Sequence, residues 1–285
     1  MAPSGWTPLA AAIRGEYTYG GRGDRAGTVR WLLDRGAGID EVSHDRSPLM
    51  QAVERGDAEL VEELIRRGAD LEAQNSAGWA ALHLAAASGH NNERRIQPVR
   101  RGDDPMAPVV EILLRAGARP DQSGLVLRLA VANRCPEVVR RLVREGAPVD
   151  AADAKWNVTP LMCAVGSPKI LRHLLRHGAD PNRADANGET ALHYAVHRWI
   201  PCEEALTILA GAGARLNVRG RAGETPLAVA VTTGVESNVA TLLRLGADPL
   251  QANDQGRTPL DAAKDQSNTA LVALLVEAVE KRKTD

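Results

Sequence analysis

Apolar and polar positions follow one pattern that returns along the whole chain. A Thr-Pro-Leu type start opens a short stretch rich in Ala, Leu and Val, and polar residues separate it from a second stretch with a helical apolar stripe. Such starts lie at Thr7, Ser47, Ala80, Leu125, Thr159, Thr190, Thr225 and Thr258. Their spacing, about 33 residues in the regular cases, predicts one structural unit repeated eight times.

Each repeat is predicted to contain two short helices. Thr or Ser caps the first helix by accepting a backbone N–H, and the following Pro fits the first helical position, where no N–H is needed. An Ala five residues after each start, such as Ala52, permits close helix approach, while Leu60 and Leu64 give the second helix an apolar stripe. In seven repeats the second helix is predicted to end at a left-handed Gly that precedes Ala: Gly36, Gly68, Gly117, Gly146, Gly178, Gly213 and Gly246.

Two segments show the pattern most fully. Residues 187–195 read Asn-Gly-Glu-Thr-Ala-Leu-His-Tyr-Ala, and residues 77–86 read Ala-Gly-Trp-Ala-Ala-Leu-His-Leu-Ala-Ala. Both resemble the T-P-L-H-x-A signature of the ankyrin repeat. The resemblance extends over about residues 5–280 and implies an all-α repeat solenoid, in which each repeat is a β-turn finger followed by an antiparallel helix pair. It also implies a single ankyrin-repeat domain over residues 1–285, curved around a concave groove.

The repeat period is broken at a few places. Extra residues stand near 16–24 and near 91–106, each time between the two helices of a repeat. These insertions are either ordinary loops, because loop length costs little free energy, or a rim over the groove that selects a ligand. Repeat four has Leu125-Val126 in place of Thr-Pro, so its first helix is expected to start less sharply.

Composition narrows the function classes. The chain has 35 basic and 36 acidic residues, and this balance gives no reason to expect nucleic-acid or membrane binding. Three cysteines without a CxxC pair favour a reducing compartment. The N-terminus lacks a signal-peptide pattern, and no apolar run is long enough for a membrane span. We therefore expect a cytoplasmic monomer, and the preference for Arg over Lys suggests a bacterial source.

Candidate catalytic and metal-binding residues are isolated from one another in the sequence. The resemblance implies that His83 and His193, at the fourth position of the start, hydrogen-bond to neighbouring loops. Cys163 fits a small buried apolar residue better than a nucleophile, and His173 and His177 have no further metal ligand in an HExxH pattern. We expect no catalytic residue, no metal and no cofactor.

The few aromatic residues are the best candidates for a binding surface. The chain has five Trp, three Tyr and no Phe. Trp6 and Trp79 immediately precede first helices, and these Trp residues could instead lie flat on a neighbouring finger and shield it. Because Trp, Tyr and Arg dominate interface hot spots, we predict a partner-binding surface that contains Trp79, Trp156, Tyr194, His197, Trp199, Arg46, Glu189 and Glu224.

Three functions remain open from the sequence. The leading hypothesis is an intracellular scaffold that captures a protein or peptide in the groove and at the finger tips. An enzyme or small-molecule receptor, with a pocket formed by the groove and the 91–106 insertion, is the first alternative. A toxin-neutralising or effector protein, a use known for bacterial ankyrin proteins, is the second.

Overall fold

The computed structural model describes residues 5–15, 24–88, 106–121, 123–198 and 200–284. In these residues each Thr-Pro-Leu type start leads into a short α-helix. The first helices are α1 (Pro8–Arg14), α3 (Pro48–Arg55), α5 (Ala81–Ala87), α7 (Leu125–Ala132), α9 (Pro160–Cys163), α11 (Ala191–Val196), α13 (Pro226–Thr233) and α15 (Pro259–Asp265). A 3-10 turn over Ala164–Gly166 continues α9.

The second helix of each repeat follows after a tight turn wherever the structure describes the connection. These helices are α2 (Arg25–Asp34), α4 (Ala58–Arg66), α6 (Ala107–Arg115), α8 (Pro136–Arg144), α10 (Pro168–Arg176), α12 (Glu203–Gly211), α14 (Glu236–Leu245) and α16 (Thr269–Thr284). The described residues contain no β-strand, and the one 3-10 turn outside α9 is Arg221–Gly223. The predicted all-α repeat architecture is confirmed.

Local capping chemistry starts the first helices as predicted. The hydroxyl of Thr225 accepts the N–H of Ala228 at 3.2 Å, and Ser47 accepts that of Met50 at 3.3 Å. Repeat four differs, because its N-cap residue Gly124 has no side chain to offer. The expectation of a less sharply capped helix was incomplete, however, since an upstream carboxylate replaces the missing cap. Asp121 accepts the N–H groups of Leu125 at 3.1 Å and Val126 at 2.9 Å.

Gly ends the second helices in the predicted way. All seven Gly residues that precede Ala have φ between 86° and 102°, a region that residues with a Cβ rarely adopt. After Gly246, for example, the chain turns so that Ala247 N–H reaches the carbonyl of Leu242 at 2.9 Å. This hydrogen bond closes the helix end and directs the chain into the next finger.

Small residues allow the helices to pack closely. The eight Ala residues that stand five positions after each start are at most 1% exposed: Ala12, Ala52, Ala85, Ala130, Ala164, Ala195, Ala230 and Ala263. Leu, Val, Ile and Met side chains fill the space around them, so the core needs no aromatic residue. Close packing of small aliphatic side chains is what the aromatic-poor composition requires.

The chain divides into two compact units, Met1–Ala147 and Pro148–Asp285. In the first unit α1 packs on α3, α3 on α5 and α5 on α7, while α4 packs on α6 and α6 on α8. In the second unit α9, α11, α13 and α15 pack in succession, and α10, α12, α14 and α16 do the same. Within each unit the first helices thus form one layer and the second helices another.

Side chains in the loops after the second helices fix the spacing between repeats. In the second unit Asn182 Oδ1 accepts the N–H of Arg215 at 2.7 Å, and Asn217 Oδ1 accepts the N–H of Asp248 at 2.8 Å. In the first unit Asp40 accepts the N–H of Asp70 at 3.0 Å. Each bond joins a residue to its neighbour one repeat further on.

Some predicted features fall on residues that the structure does not describe. The insertion near 16–24 lies outside the described residues except for Asp24, which caps α2, and the insertion near 91–106 lies outside except for the buried Met106. Trp199 also lies outside them. None of the helices that the structure describes is long and apolar enough to span a membrane.

Candidate partner-binding surface

The fingers are built around a carboxylate or amide side chain at the start of each turn. Asp185 Oδ1 accepts the N–H of Asn187 at 2.8 Å and that of Glu189 at 2.9 Å. Asn253 does the same for Gln255 and Arg257, at 3.0 Å each. Asn and Asp favour such turns because the side chain mimics a backbone acceptor. The finger backbone is therefore held before any partner arrives.

In repeats one, two, six and eight the last residue of the finger contacts the end of its own first helix. Arg46 Nε donates to Glu54 Oε1 at 2.9 Å, and Glu189 Oε1 lies 3.0 Å from His197 Nε2. In repeat one the guanidinium carbon of Arg14 lies 4.2 Å from the centre of the Trp6 ring, and in repeat eight Arg257 bonds to Asp265. The two members of every pair are eight residues apart. In each of the two units, we call the surface formed by the finger ends and the last turns of the first helices the finger–helix face of that unit.

Among the candidates for partner binding, Arg46 lies on the finger–helix face of the first unit, and Glu189, His197 and Glu224 lie on that of the second unit. Glu224 differs from the others because its Oε1 accepts a 2.7 Å hydrogen bond from the side chain of Asn253, in the next finger. Each of these four polar side chains therefore has a partner within the chain. To bind another protein, these side chains would use polar atoms that are not engaged in these contacts, or they would break a contact within the chain and form one with the partner.

The two Trp candidates have different surroundings. The Trp79 ring is partly buried and lies parallel to the ring of His83, with 6.4 Å between the centres. His83 belongs to the first helix of the same repeat, so this contact does not lay the Trp79 ring on a neighbouring finger. The Trp6 ring does so, because it stacks on the ring of His44 in the next finger, with 3.8 Å between the centres.

Trp156 is 52% exposed, and the ammonium group of Lys155 lies 5.0 Å from the centre of its ring. Its carbonyl accepts the N–H of Ala186 at 2.8 Å, so the backbone is fixed while the indole faces solvent.

Tyr194 is held by its own finger. Its hydroxyl donates to Asp185 Oδ2 at 2.9 Å, and its ring is partly buried. Burial first, and then the hydrogen bond to Asp185, raise the pKa of Tyr194 above its ordinary value. The phenol therefore stays protonated and acts chiefly as a positioning residue for the finger.

His193 and His83 have the structural contacts that the resemblance implied. Nδ1 of His193 accepts the N–H of Thr190 at 3.1 Å, and Nε2 lies 3.1 Å from the carbonyl oxygen of Glu224, to which it donates. His193 is completely buried, and burial lowers the pKa of its ring. Nδ1 of His83 accepts the N–H of Ala80 at 3.2 Å. Both rings hold loops and helix starts in place.

The cysteines and remaining histidines form no recognisable catalytic or metal site in the part of the chain that the structure describes. Cys135, Cys163 and Cys202 are free cysteines, and burial raises the pKa of Cys202 to about 11. Such a thiol is a weak nucleophile at neutral pH. Among the described residues no three His, Cys, Asp or Glu side chains are grouped so that they could hold a metal ion.

In each unit the described residues form an open cleft on the finger–helix face. The cleft of the first unit, about 270 Å³, includes Trp6, Arg46 and Arg55 in its lining. The cleft of the second unit, about 310 Å³, includes Glu224 and Arg257. Ligand pockets for drug-sized molecules usually enclose ~300–1,000 Å³. The two clefts are open and lie near the lower limit of this range, so they fit one or two side chains of a partner better than a whole small molecule.

The family profile described as Ankyrin repeats (3 copies) matches residues 21–93, 102–185 and 127–220 of the chain. These ranges include more than half of the 285 residues, and they agree with the helix pairs seen in the structure. The chain belongs to the ankyrin repeat proteins. Ankyrin repeats are generally protein–protein interaction modules without enzymatic activity.

Several curated proteins resemble this ankyrin repeat protein. Ankyrin repeat and SOCS box protein 16 of Homo sapiens is 31% identical over 248 residues, which cover 82% of this chain and 51% of the relative. Protein PhlB of Serratia liquefaciens is 36% identical over 181 residues, 63% of this chain and 65% of the relative. B-cell lymphoma 3 protein homolog of Mus musculus is 41% identical over 92 residues, 32% of this chain and 17% of the relative. The chain thus spans about half the length of the first of these relatives, and less than two thirds of each.

Sequence reasoning missed the residues that organise the fingers. Asp185 and Asn253 were not candidates, although each begins an Asx-x-x-Gly turn, and Asn75 begins a third. The signal was available, because Asx and Gly at this spacing are typical of tight turns. The sequence candidates were aromatic and charged residues at variable positions, and the Asp and Asn side chains that hold the backbone of those positions were overlooked.

Proposed function

We propose that this ankyrin repeat protein binds a protein or peptide partner on its finger–helix face and acts without covalent chemistry. Trp156 is the observation that carries the proposal. A 52% exposed indole on a backbone held by Asp153 and by the hydrogen bond from Ala186 offers a large apolar surface at low entropic cost. Preorganised aromatic side chains are the usual anchors of protein interfaces.

The charged residues of the face support a protein partner over a polyanion. Arg46, Glu189, His197 and Glu224 are mixed in sign, and the contacts within the chain hold their side chains in defined positions. Such a pattern gives specificity through charge complementarity. Trp79 contributes the exposed part of its ring, and Tyr194 acts through the finger that it holds.

The proposal also includes the state and setting of the protein. We propose that it is a monomer in a bacterial cytoplasm and that it acts without cofactors, metals, membranes or nucleic acid.

Photo-crosslinking tests the surface directly. A photoreactive phenylalanine analogue at position 156 is expected to crosslink a partner in native lysate, whereas the same analogue at Val276, which is 42% exposed on the second helix α16, is not. Equal crosslinking from both positions, or from neither, would contradict the proposal.

Binding of the partner identified in this way is then measured with purified variants. Trp156→Ala is expected to weaken affinity at least tenfold, because truncation of a hot-spot residue costs ~2 kcal/mol or more. Trp31→Ala is the matched control, since Trp31 lies on the second helix α2 and packs on the guanidinium of Arg35, 4.0 Å away. Unchanged affinity in a folded Trp156→Ala variant would remove the anchor from the proposal.

A further inference from the structure

The cleft of the first unit has a lining that is rich in arginine. It lies on the finger–helix face where the ends of α1, α3 and α5 come together, and has a volume of about 270 Å³. Its lining includes Trp6, Arg14, Arg46, Gln51, Glu54 and Arg55.

Arg55 stands out among these residues. Its Nε is buried, and no acceptor in the described part of the chain lies within hydrogen-bond distance of it. Burial first, and then the positive charge of Arg25, lower the pKa of Arg55 more than the negative charge of Asp57 raises it, and Arg14 adds a smaller contribution that lowers it. A guanidinium that stays charged in such a place is destabilising for the free protein.

The carboxylates near Arg55 are engaged with other arginines. Asp57 accepts from Arg25 at 3.3 Å and also caps α4, and Glu54 accepts from Arg46 at 2.9 Å. The cleft therefore holds a guanidinium for which the nearby carboxylates already have other donors. An anionic group of another molecule would therefore interact favourably with Arg55 in this cleft.

An unused acceptor lies in the same cleft. Gln51 is only 5% exposed and donates through Nε2 to the carbonyl of Arg46 at 3.4 Å. Its Oε1 is buried and has no donor in the described residues. An occupant that carries both an anionic group and an N–H donor would satisfy Arg55 and Gln51 together.

We propose that this cleft binds the carboxylate side chain of an Asp or Glu residue in a protein partner. Arg55 donates to the carboxylate, Gln51 Oε1 accepts a backbone N–H of the same partner segment, and Trp6 lines the site. The volume fits one side chain. The negative charge of Glu54 in the lining repels a phosphate dianion more strongly than a carboxylate, which carries a single negative charge. The inference rests on the proposed function and specifies the chemistry of the partner.

A titration with small peptides tests the cleft without a known partner. The full chain is titrated with acetyl-Gly-Glu-Gly-amide and with its neutral counterpart acetyl-Gly-Gln-Gly-amide, and NMR follows the Arg Nε–H and Trp indole signals. We expect saturable shifts of the Arg55 and Trp6 signals with the Glu peptide and binding at least tenfold weaker for the Gln peptide. Charge-assisted hydrogen bonds are stronger than neutral ones, and tenfold corresponds to only ~1.4 kcal/mol.

Three variants make the result specific. Arg55→Gln is expected to abolish binding of the Glu peptide, and Arg55→Lys to retain part of it, because the charge remains while the two-pronged donor geometry is lost. Arg144→Gln removes the same charge from an exposed site in the last turn of α8 and should bind as the parent does. The melting temperature of Arg55→Gln should stay unchanged or rise, because the variant removes a partly buried charge that lies near the like charges of Arg25 and Arg14.

Several outcomes would overturn the proposal. These are the absence of saturable shifts, equal binding of both peptides, equal binding by a folded Arg55→Gln variant, or tighter binding of inorganic phosphate than of the Glu peptide. If any one of these outcomes occurred while crosslinking at position 156 succeeded, the carboxylate-binding cleft would be rejected and the proposed function would stand. Failure of the crosslinking with successful peptide titration would instead reject Trp156 as the partner-binding centre.

Discussion

Tyr194 donates a 2.9 Å hydrogen bond to Asp185, and this bond ties helix α11 to the finger that precedes it. The other oxygen of the same carboxylate accepts the N–H groups of Asn187 and Glu189. The phenol thereby orients the carboxylate on which the turn depends. Glu189, at the end of this finger, in turn contacts His197. A residue predicted from the sequence as a partner contact thus acts on the shape of its own finger.

Tyr194→Phe should lower the free energy of unfolding by about 1 kcal/mol at pH 8, the usual net value of one hydrogen bond. Because the folded-state pKa of Tyr194 is raised, its contribution is complete below the ordinary tyrosine value of about 10 and is lost as pH rises beyond it. The difference between wild type and variant should therefore shrink at pH 10.5. Urea unfolding at both pH values measures it, and a difference that grows with pH would contradict this account.

His193 should make stability depend on pH on the acidic side. Burial lowers the pKa of His193 in the folded protein, while in the unfolded chain the ring titrates near 6.5. The unfolded state therefore binds more protons below about pH 6.5, and stability is lost as pH falls through that value. His193→Gln should lower the free energy of unfolding by ~1–3 kcal/mol at pH 7.5, because the buried groups that contact the ring lose their hydrogen bonds. Between pH 7.5 and 5.5, however, the free energy of unfolding should fall less in the variant than in wild type.

A matched variant separates this effect from a general one. His177 is exposed at the end of α10, where its Nδ1 lies 2.9 Å from the carbonyl of His173. His177→Gln should keep the wild-type difference in unfolding free energy between pH 7.5 and 5.5. If His193→Gln kept that difference as well, the buried ring would not be its source.

Local chemistry explains what the sequence predicted well. Thr225, Pro226 and Gly246 act on their own or the next few residues, so their roles follow from residue type and spacing. The pairing of Glu189 with His197 could not be predicted in the same way, because it exists only after the finger has folded back over the helix. Arg55 was not among the candidate residues, since the sequence cannot show which carboxylates Arg25 and Arg46 contact.

Asp121 illustrates how a missing local signal can be replaced. Burial raises the pKa of this carboxyl, but hydrogen bonds from Ser123 and from the N–H groups of Val126 and Leu125 outweigh it, so the pKa lies below its ordinary value. Asp121→Ala should cost ~1–2 kcal/mol, the range of an N-cap deletion. Asp121→Asn should cost less at pH 7, because it keeps one acceptor for the helix start.

The contribution of Asp121 should also depend on pH. The contribution of the ionised carboxylate to the free energy of unfolding is complete above the ordinary aspartate pKa of about 3.9, and it is lost as pH falls through the folded-state pKa. The difference between wild type and Asp121→Asn, measured by urea unfolding, should therefore shrink as pH falls below about 3.9. A constant difference from pH 7 to pH 3 would show that the charge does not contribute.

Gly188 offers a test of how closely adjacent fingers approach. Its φ is +80°, and a Cβ at this position would lie 3.2 Å from the carbonyl oxygen of Arg219 in the next finger. Gly178 has a similar φ of +90°, but a Cβ there would meet nothing within 4 Å. Gly178→Ala should therefore cost only the left-handed strain, ~1–2 kcal/mol. Gly188→Ala should cost about 1 kcal/mol more, because the backbone of the next finger must move. Urea unfolding of both variants decides the matter, and equal costs would mean that the two fingers are not in firm contact.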